Sequence, residues 1–388
     1  MNTQWVLLLI PLAVVILLAL RNMDRILPFM RRLIDGRSDT HMGRKKHRAK
    51  FILIVGLALL IVATVSSITI GPTHTMSIPE SLSALFSAIS KGGIGLTNNE
   101  MLVYNSRLPR TLVAIGVGLG LSVAGTIYQA VIRNPLVDPY IMGVSSGAGT
   151  AAVAVIAFDF TLFGLISSSS VYLTATSAII GGLIAFLCTM LLAERSGGTT
   201  NGYVLSGVVI GLVFSAIQTV MIVFAGNELS NALMWLFGSF SSITWTEVAP
   251  VLVSTVLLSL LSMKWAKELN LVLLGEDQAR QMGLNAHRFT IMMLILASVL
   301  ASFCVAFCGI IGFVGLVIPH MCRMLFGGDH RLVLPASMLF GATLMIIADI
   351  TARMVIPGIE LPVGAITTLI GVPVFAYLLI KRGKIYNG

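Results

Sequence analysis

Charged residues are scarce in this chain. Asp, Glu, Lys and Arg together make up 11% of its 388 residues, whereas hydrophobic residues make up 56%. A soluble domain carries about 25% charged residues, so this composition cannot cover a water-exposed surface. The scarcity of charge excludes a chain of soluble domains and predicts a protein whose main solvent is lipid.

Motifs for catalysis and metal binding are missing as well. The chain has no G-x-x-x-x-G-K-[ST] segment to hold ATP phosphates, and its six histidines include no H-x-x-x-H pair. Cys304 and Cys308 are four residues apart, but a thiol pair without histidine or carboxylate partners is a weak metal site. We therefore predict packing roles for the cysteines and expect no catalytic residues, no cofactor and no metal.

The net charge of +9 is unevenly distributed. Ten of the 25 Lys and Arg residues lie between Arg21 and Lys50, and most of the others flank apolar segments. The chain has no basic stripe interleaved with aromatic residues, as a nucleic-acid surface would require. The distribution argues against a nucleic-acid partner and is typical of a protein oriented in a membrane.

Long apolar stretches are abundant. Crossing about 30 Å of hydrocarbon takes roughly 20 helical residues, and helices satisfy their own backbone groups in lipid. We find eleven candidate stretches, at residues 5–20, 51–70, 111–132, 140–158, 172–193, 203–225, 247–265, 289–309, 312–325, 332–356 and 363–380. The glycine-rich segments at 116–120 and 143–149 favour close helix packing. The predicted fold is all-α, a polytopic transmembrane helical bundle in a lipid bilayer.

Basic residues between these stretches predict the orientation of the chain. With the 21–50 loop in the cytoplasm, 21 Lys and Arg residues lie on the inner side and four on the outer side. The outer four are Lys91, Arg107, Arg110 and Arg353. Because basic residues are retained on the cytoplasmic side, we expect the N-terminus outside and the C-terminus inside the cytoplasmic membrane of a prokaryote.

Residues 1–50 are predicted to form an extra N-terminal transmembrane helix followed by a basic cytoplasmic loop. A secretory signal has basic residues before its apolar core and small residues at its cleavage site. Residues 1–4 contain no Lys or Arg, and Leu18-Ala19-Leu20 is a poor cleavage site. We therefore expect a retained helix, with residues 51–388 as the main membrane domain.

Prolines mark turns and bends along the chain. Asn134-Pro135 and Asp138-Pro139 predict a tight inner-side turn between two helices. Pro319 lies near the end of an apolar stretch and Pro373 lies inside one, where a kink is expected. We expect structural or gating roles for these residues, because breaks of this kind let transport proteins bend and rearrange.

The inner connection at residues 266–288 is too charged to span a membrane. Glu276 and Asp277, after Gly275, favour the start of a short helix, where acidic residues complement the helix dipole. Gly283 predicts its end, because glycine readily adopts the backbone of a helix C-cap. We therefore expect a short helix on the cytoplasmic side.

Asp349 and Arg353 are four residues apart inside an apolar stretch. An isolated charge there is expensive, so mutual pairing is expected. Their spacing leaves two interpretations open, a purely structural pair and a functional role as an ion relay or docking charge.

These motifs, in this order, resemble the FecCD family of ABC-importer permeases. The segments that carry the resemblance are Arg107-Leu108-Pro109-Arg110; Arg133-Asn134-Pro135-Leu136-Val137-Asp138-Pro139 leading to Gly143-Val144-Ser145-Ser146-Gly147-Ala148; Leu274-Gly275-Glu276 with Ala279 and Gly283; Gly312-Phe313-Val314-Gly315-Leu316-Val317-Ile318-Pro319-His320 with Arg323; Asp349 with Arg353; and Glu360-Leu361-Pro362-Val363-Gly364 followed by Gly371, Pro373 and Phe375. They cover about residues 50–382.

The resemblance implies partners and roles. It implies a second permease subunit, identical or similar, with the 203–225 helix lining a pathway between the two and the 196–203 connection near a cytoplasmic gate. It implies separate ABC ATPase subunits, with the 274–285 helix (Leu274, Gly275, Glu276, Ala279 and Gly283) as the coupling element. It also implies an extracytoplasmic substrate-binding protein, docked by Arg107, Arg110 and Arg353 on the outer surface, with Asp349 orienting Arg353.

About ten helices match the family, and the 1–50 extension departs from it. The extension is expected to aid insertion or to lie against anionic lipid headgroups. The implied function is ATP-driven import of an iron–siderophore, with haem or cobalamin as alternatives. An ion-coupled secondary transporter using Asp349 is a second hypothesis. An intramembrane enzyme is a third, but the chain lacks a catalytic constellation.

Overall fold

The computed structural model describes residue 34 and residues 41–72, 75–158, 171–356 and 358–386. The predicted helix at 5–20 and most of the 1–50 extension lie outside the described residues. Within the described ranges the regular structure is helical, which confirms the all-α prediction. The helices are α1 His41–Thr69, α2 Ile78–Ser90, α3 Asn98–Val131, α4 Val144–Phe158, α5 Val171–Arg195, α6 Thr200–Val223, α7 Leu229–Leu236, α8 Trp245–Met263, α9 Ala266–Val272, α10 Glu276–Gln281, α11 Ala286–Cys308, α12 Val314–Phe326, α13 His330–Met354 and α14 Val363–Tyr386.

Ten of these helices are apolar, in agreement with the ten predicted for the main domain. Seven of them, α1, α3, α5, α6, α8, α11 and α13, are long enough to cross a membrane. The other three, α4, α12 and the first part of α14, are shorter apolar helices. Because their backbone groups bond within each segment, such helices satisfy the main requirement of a lipid solvent.

Two connections between the predicted spans contain helix. α1 begins at His41, so the last ten residues of the predicted basic 21–50 loop are a helical extension of the membrane helix, and that part of the prediction is wrong. Arg, Lys and Ala favour helix and no breaker separates them from the apolar part. In the outer connection at 71–110, Ser77 caps α2 and Thr97 caps α3, each through a capping box with a glutamate three residues later.

α3 is the central helix of the bundle. Nearly all of its residues from Pro109 to Val131 are buried, with α8, α11, α12 and α13 around it. A Cβ atom built on Gly118 would lie 2.3 Å from the Gly341 carbonyl oxygen, and one on Gly125 would lie 1.7 Å from that of Gly315. The glycines therefore allow backbone-to-backbone contact, as their pattern predicts.

Charged contacts fall at the two ends of the bundle. At one end, which we call the arginine end, Arg107 contacts the end of α1 and Arg110 pairs with Asp349. At the opposite end, Lys45 pairs with Asp329 and Arg133 contacts Thr200 at the start of α6. This segregation agrees with the alternation of sides that the basic residues predict.

Candidate functional site

Arg107 closes the end of α1 at the arginine end. It lies in a π-helical turn, Leu102–Arg107, within α3. Its Nη1 atom donates hydrogen bonds to the carbonyl oxygens of Ile68 at 2.6 Å and Thr69 at 2.8 Å. The last carbonyls of a helix lack partners within it, so Arg107 satisfies groups that would otherwise be buried without a donor.

Arg110 and Arg353 share a buried carboxylate. Arg110 Nε donates to Asp349 Oδ1 at 2.7 Å, while Arg353 Nη2 lies 3.1 Å from Asp349 Oδ2. Arg110 Nη1 also donates to Glu360 Oε2 at 2.8 Å, and Arg353 Nη2 to Ser67 Oγ at 2.9 Å. The predicted Asp349–Arg353 pair is thus present, within a larger network that joins α1, α3, α13 and the segment before α14.

The three arginines are not on the surface, so that part of the prediction is wrong. Arg107, Arg110 and Arg353 are only 3%, 6% and 4% exposed. The guanidinium groups bind helix-end carbonyls and a buried carboxylate, because charges inside an apolar bundle need partners. Glu360, which the motif contained but to which we assigned no role, is the member that reaches the surface, with a side chain 35% exposed.

The predicted cytoplasmic helix is present as α10. Gly275 precedes it with a φ of 111°, and Gly283 follows it with a φ of 86°. The Leu284 N–H donates to the Ala279 carbonyl at 3.0 Å, which closes the helix end. Ala279 is buried, whereas Leu274 is 54% exposed and Glu276 is also exposed. α10 therefore packs one face against the bundle and exposes another at the protein surface.

The predicted turn between α3 and α4 is also present. Asn134 Oδ1 accepts from the Leu136 N–H at 3.0 Å, and Asp138 Oδ1 accepts from the Tyr140 N–H at 2.9 Å. Pro135 lies between the two. Pro139 packs against α12, where a Cβ on Gly315 would lie 2.4 Å from the Pro139 ring.

A polar cavity of about 370 Å³ lies between this turn, the 197–200 connection and α10. Tyr203 and His287 line it, and both contact Glu194. Tyr203 donates to Glu194 Oε1, and His287 Nε2 lies 3.5 Å from Glu194 Oε2. These contacts join the ends of α5, α6 and α11 beside the predicted gate connection. Sequence reasoning missed Glu194 and His287, because no local pattern relates residues so far apart.

α6 is the least buried of the long apolar helices. Leu212 is 66% exposed and Val220 58%. Ser215 and Thr219 are also exposed, in the second half of the helix, and the Thr219 hydroxyl donates to the Ser215 carbonyl at 2.8 Å. Small polar side chains on an exposed helix face favour contact with another helix. This surface is therefore suited to a partner or a pathway.

Two of the prolines predicted to bend helices lie inside them. Pro319 is in α12 and Pro373 in α14. Each removes one backbone hydrogen-bond donor from its helix. The expected bends at these prolines and their part in gating stay predictions.

Comparison with known proteins places the chain in a family. Residues 59–381 match the profile of the FecCD transport family. The chain is 36% identical to the Fe(3+)-citrate import system permease protein YfmE of Bacillus subtilis, over 87% of this chain and 96% of that one. It is 35% identical to the cobalamin import system permease protein BtuC of Halobacterium salinarum, over 88% and 91% of the two chains.

A solved structure gives the same answer. It shows an inward-facing ABC transporter described as being of metal-chelate type, with a TM-score of 0.73 and 31% identity, covering 86% of this chain and 99% of that one. The fold, the ordered motifs and these relatives agree. The chain belongs to the FecCD transport family and is a permease of an ABC importer, rather than a catalytic enzyme.

Proposed function

We propose that this permease forms a substrate pathway in the cytoplasmic membrane of a prokaryote together with a second permease chain. The observation that carries the proposal is the exposed face of α6, where Ser215 and Thr219 interrupt an apolar surface. Small polar side chains on an exposed helix face favour close contact with a second helix, and at a subunit interface they can also line a water-filled path. The second chain is either a copy of this one or a similar permease.

ATP hydrolysis is assigned to a separate ATPase that docks on α10. Leu274 and Glu276 are exposed there, while Ala279 anchors the helix to the bundle. The chain turns on both sides of α10, at Gly275 with a φ of 111° and at Gly283 with a φ of 86°. α10 is therefore a short helix bounded by two turns, with part of its surface exposed. A movement of α10 would reach the 197–200 connection through the shared polar cavity.

An external substrate-binding protein is assigned to the arginine end. Because Arg107, Arg110 and Arg353 are buried, we assign them a structural role beneath the docking surface. They fix the position of that surface and contribute only part of it. Arg110 holds the partly exposed Glu360, and Arg107 holds the end of α1. With this end outside, the N-terminus is placed outside and the C-terminus in the cytoplasm.

The proposed substrate is an iron chelate of the siderophore class, with cobalamin or haem as the alternatives. Relatives named for iron citrate and cobalamin support a chelate or corrinoid. An ion-coupled carrier is disfavoured, because Asp349 is engaged by two arginines and is not open to a transported cation.

Uptake by reconstituted vesicles tests the proposal. Vesicles containing the permease, its ATPase and its binding protein are given labelled ferric siderophore, ferric citrate, haemin, cobalamin or molybdate, with and without ATP. We expect ATP-dependent uptake of the ferric siderophore. Uptake that persists without ATP would refute the importer mechanism, whereas ATP-dependent uptake of another compound would refute only the substrate.

A further inference from the structure

The membrane helix α1 is longer than a bilayer requires. Its apolar part, residues 51–69, spans about 28 Å at about 1.5 Å per residue and matches a hydrocarbon core of about 30 Å. The preceding ten residues from His41 to Lys50 add about 15 Å and include five Lys or Arg. This basic extension therefore lies at the depth of the lipid headgroups.

One face of the extension lines a cleft of about 240 Å³, which we call the cationic cleft. Arg44, Lys45 and Arg48 line it from α1, and Phe326, Gly327, Gly328, Asp329 and Leu332 line it from the connection between α12 and α13. Lys45 pairs with Asp329, and Arg48 Nη1 donates to the Phe326 carbonyl at 2.7 Å. Among the described residues that line the cleft, three are basic and one, Asp329, is acidic.

An apolar groove of about 330 Å³ lies between α12, α13 and α14. Among the described side chains that line it, most are hydrocarbon, and the exceptions are those of Met321, Cys322, Thr343 and Thr367. Ile347 lines the groove and is 46% exposed, so the groove opens to the surface of the bundle. Its chemistry fits a hydrocarbon chain.

The cleft and the groove share a wall. Phe326 lines the cleft, and its ring stacks on that of Phe340 with centroids 5.8 Å apart. Phe340 lines the groove. The two cavities therefore lie next to each other, one on each side of this pair of stacked rings. The charged cavity is at the level of the lipid headgroups, and the apolar cavity is inside the hydrocarbon region.

We propose that the cationic cleft and the apolar groove together form a binding site for one anionic phospholipid, with its phosphate in the cleft and an acyl chain in the groove. The order of polarity from cleft to groove matches that of a phospholipid. Arginine binds phosphate through paired N–H groups, and the basic side chains that line the cleft favour an anionic over a zwitterionic headgroup. The site is independent of the transported substrate.

Quenching by brominated lipids tests the site. The full-length permease with Ile347→Trp is placed in phosphatidylcholine vesicles with rising fractions of phosphatidylglycerol brominated on its acyl chains. The difference in quenching between this variant and the parent chain reports the groove. We expect brominated phosphatidylglycerol to quench at a several-fold lower mole fraction than brominated phosphatidylcholine.

Charge variants distinguish binding in the cleft from a general electrostatic attraction between the basic extension and anionic lipid. Arg44→Gln with Arg48→Gln should remove the preference, whereas Lys46→Gln with Lys50→Gln removes the same charge from exposed positions that do not line the cleft and should keep it. Arg44→Gln alone, at an exposed position, should lower the preference if the double variant fails to fold. Leu187→Trp, 56% exposed on α5, should be quenched equally by both lipids.

Three outcomes would overturn the proposal. Equal quenching of the groove tryptophan by both lipids would show that no headgroup is selected. An unchanged preference in the two arginine variants would show that the cleft is not the source of selection. Absence of quenching by either lipid would show that protein, such as residues 1–33 or a second copy of the chain, covers the groove.

Discussion

Arg110 Nε lies 2.7 Å from Asp349 Oδ1 and joins α3 to α13 across 239 residues of sequence. Both side chains are buried, with Arg110 6% exposed and Asp349 fully enclosed. The carboxylate also faces Arg353, so one negative charge neutralises part of two positive ones. Glu360 supplies the second negative charge, which makes the cluster balanced as a whole.

Removal of Arg110 should destabilise the bundle strongly. Arg110→Gln leaves Asp349 and Glu360 with one guanidinium fewer inside the protein, and loss of one member of a buried pair costs about 3 kcal/mol or more. Chemical unfolding in detergent measures this cost. Arg280→Gln is the control, because it breaks an ion pair with Glu276 in which the two side chains are 60% and 51% exposed, and it should cost less than about 1 kcal/mol. Equal costs would contradict the structural role of the cluster.

Gly341→Ala should separate α3 from α13. A Cβ at this position would lie 2.0 Å from Ser122 Oγ and 2.5 Å from the Gly118 carbonyl oxygen. We expect a loss of about 1–3 kcal/mol in the free energy of unfolding, because packed helices must move apart. Gly312→Ala, where the nearest atom is 4.0 Å away, should change stability little. A similar loss in both variants would show that backbone freedom rather than close packing is the cause.

Gly283→Ala tests α10 as the contact with the ATPase. The φ of 86° at Gly283 and of 60° at Gly92 disfavours a Cβ in both places, and neither glycine has an atom near that position. Each substitution should therefore cost about 1–2 kcal/mol of strain. Only Gly283→Ala should weaken binding of the purified ATPase and ATP-driven uptake. Equal binding by the two variants would place the contact elsewhere.

Asp329 should make stability depend on pH. Burial opposes its ionisation, but hydrogen bonds from Lys45, Asn270 and the Arg331 N–H outweigh burial and lower its pKa. Because the folded pKa lies below the unfolded value, this stabilisation is present above the unfolded pKa of about 4 and is lost as the pH falls through the folded pKa. The melting temperature in detergent should therefore decrease as the pH is lowered below about 4.

Asp329→Asn should flatten this acid response and lower the melting temperature at pH 7. Asparagine can still cap α13, so the change removes the charge while keeping the side-chain acceptor. Asp277→Asn is the control, since Asp277 is an exposed acid at the start of α10 for which the structure gives no ion pair. An acid response that persists in Asp329→Asn would assign the titration to another carboxyl group.

Local patterns predicted several features correctly. Acids after Gly275 and a glycine at 283 predicted α10, because helix ends depend on a few neighbouring residues. The capping boxes at Ser77 and Thr97 carry the same kind of signal, but we did not use it. The helices found there begin at these caps.

Contacts between residues that are distant in the sequence could not be predicted from local patterns. The i, i+4 spacing predicted Asp349–Arg353, whereas the bond from Arg110 to Asp349 depends on how α3 crosses α13. The same holds for Glu194, which receives Tyr203 and His287 only after three helices meet. Exposure of the arginines was mispredicted for this reason, since an outer location does not reveal whether a side chain points inward.

The amino-acid sequence by itself determined that this chain is a helical membrane protein, which loops share a side and which family it resembles. These properties follow from composition, charge distribution and short-range order, all of which act along the chain. Tertiary structure alone decided that Arg107, Arg110 and Arg353 are buried, that Asp349 serves two arginines, and that a cationic cleft adjoins an apolar groove. Such features depend on close approach between distant helices, where glycine contacts and the pairing of buried charges select one arrangement.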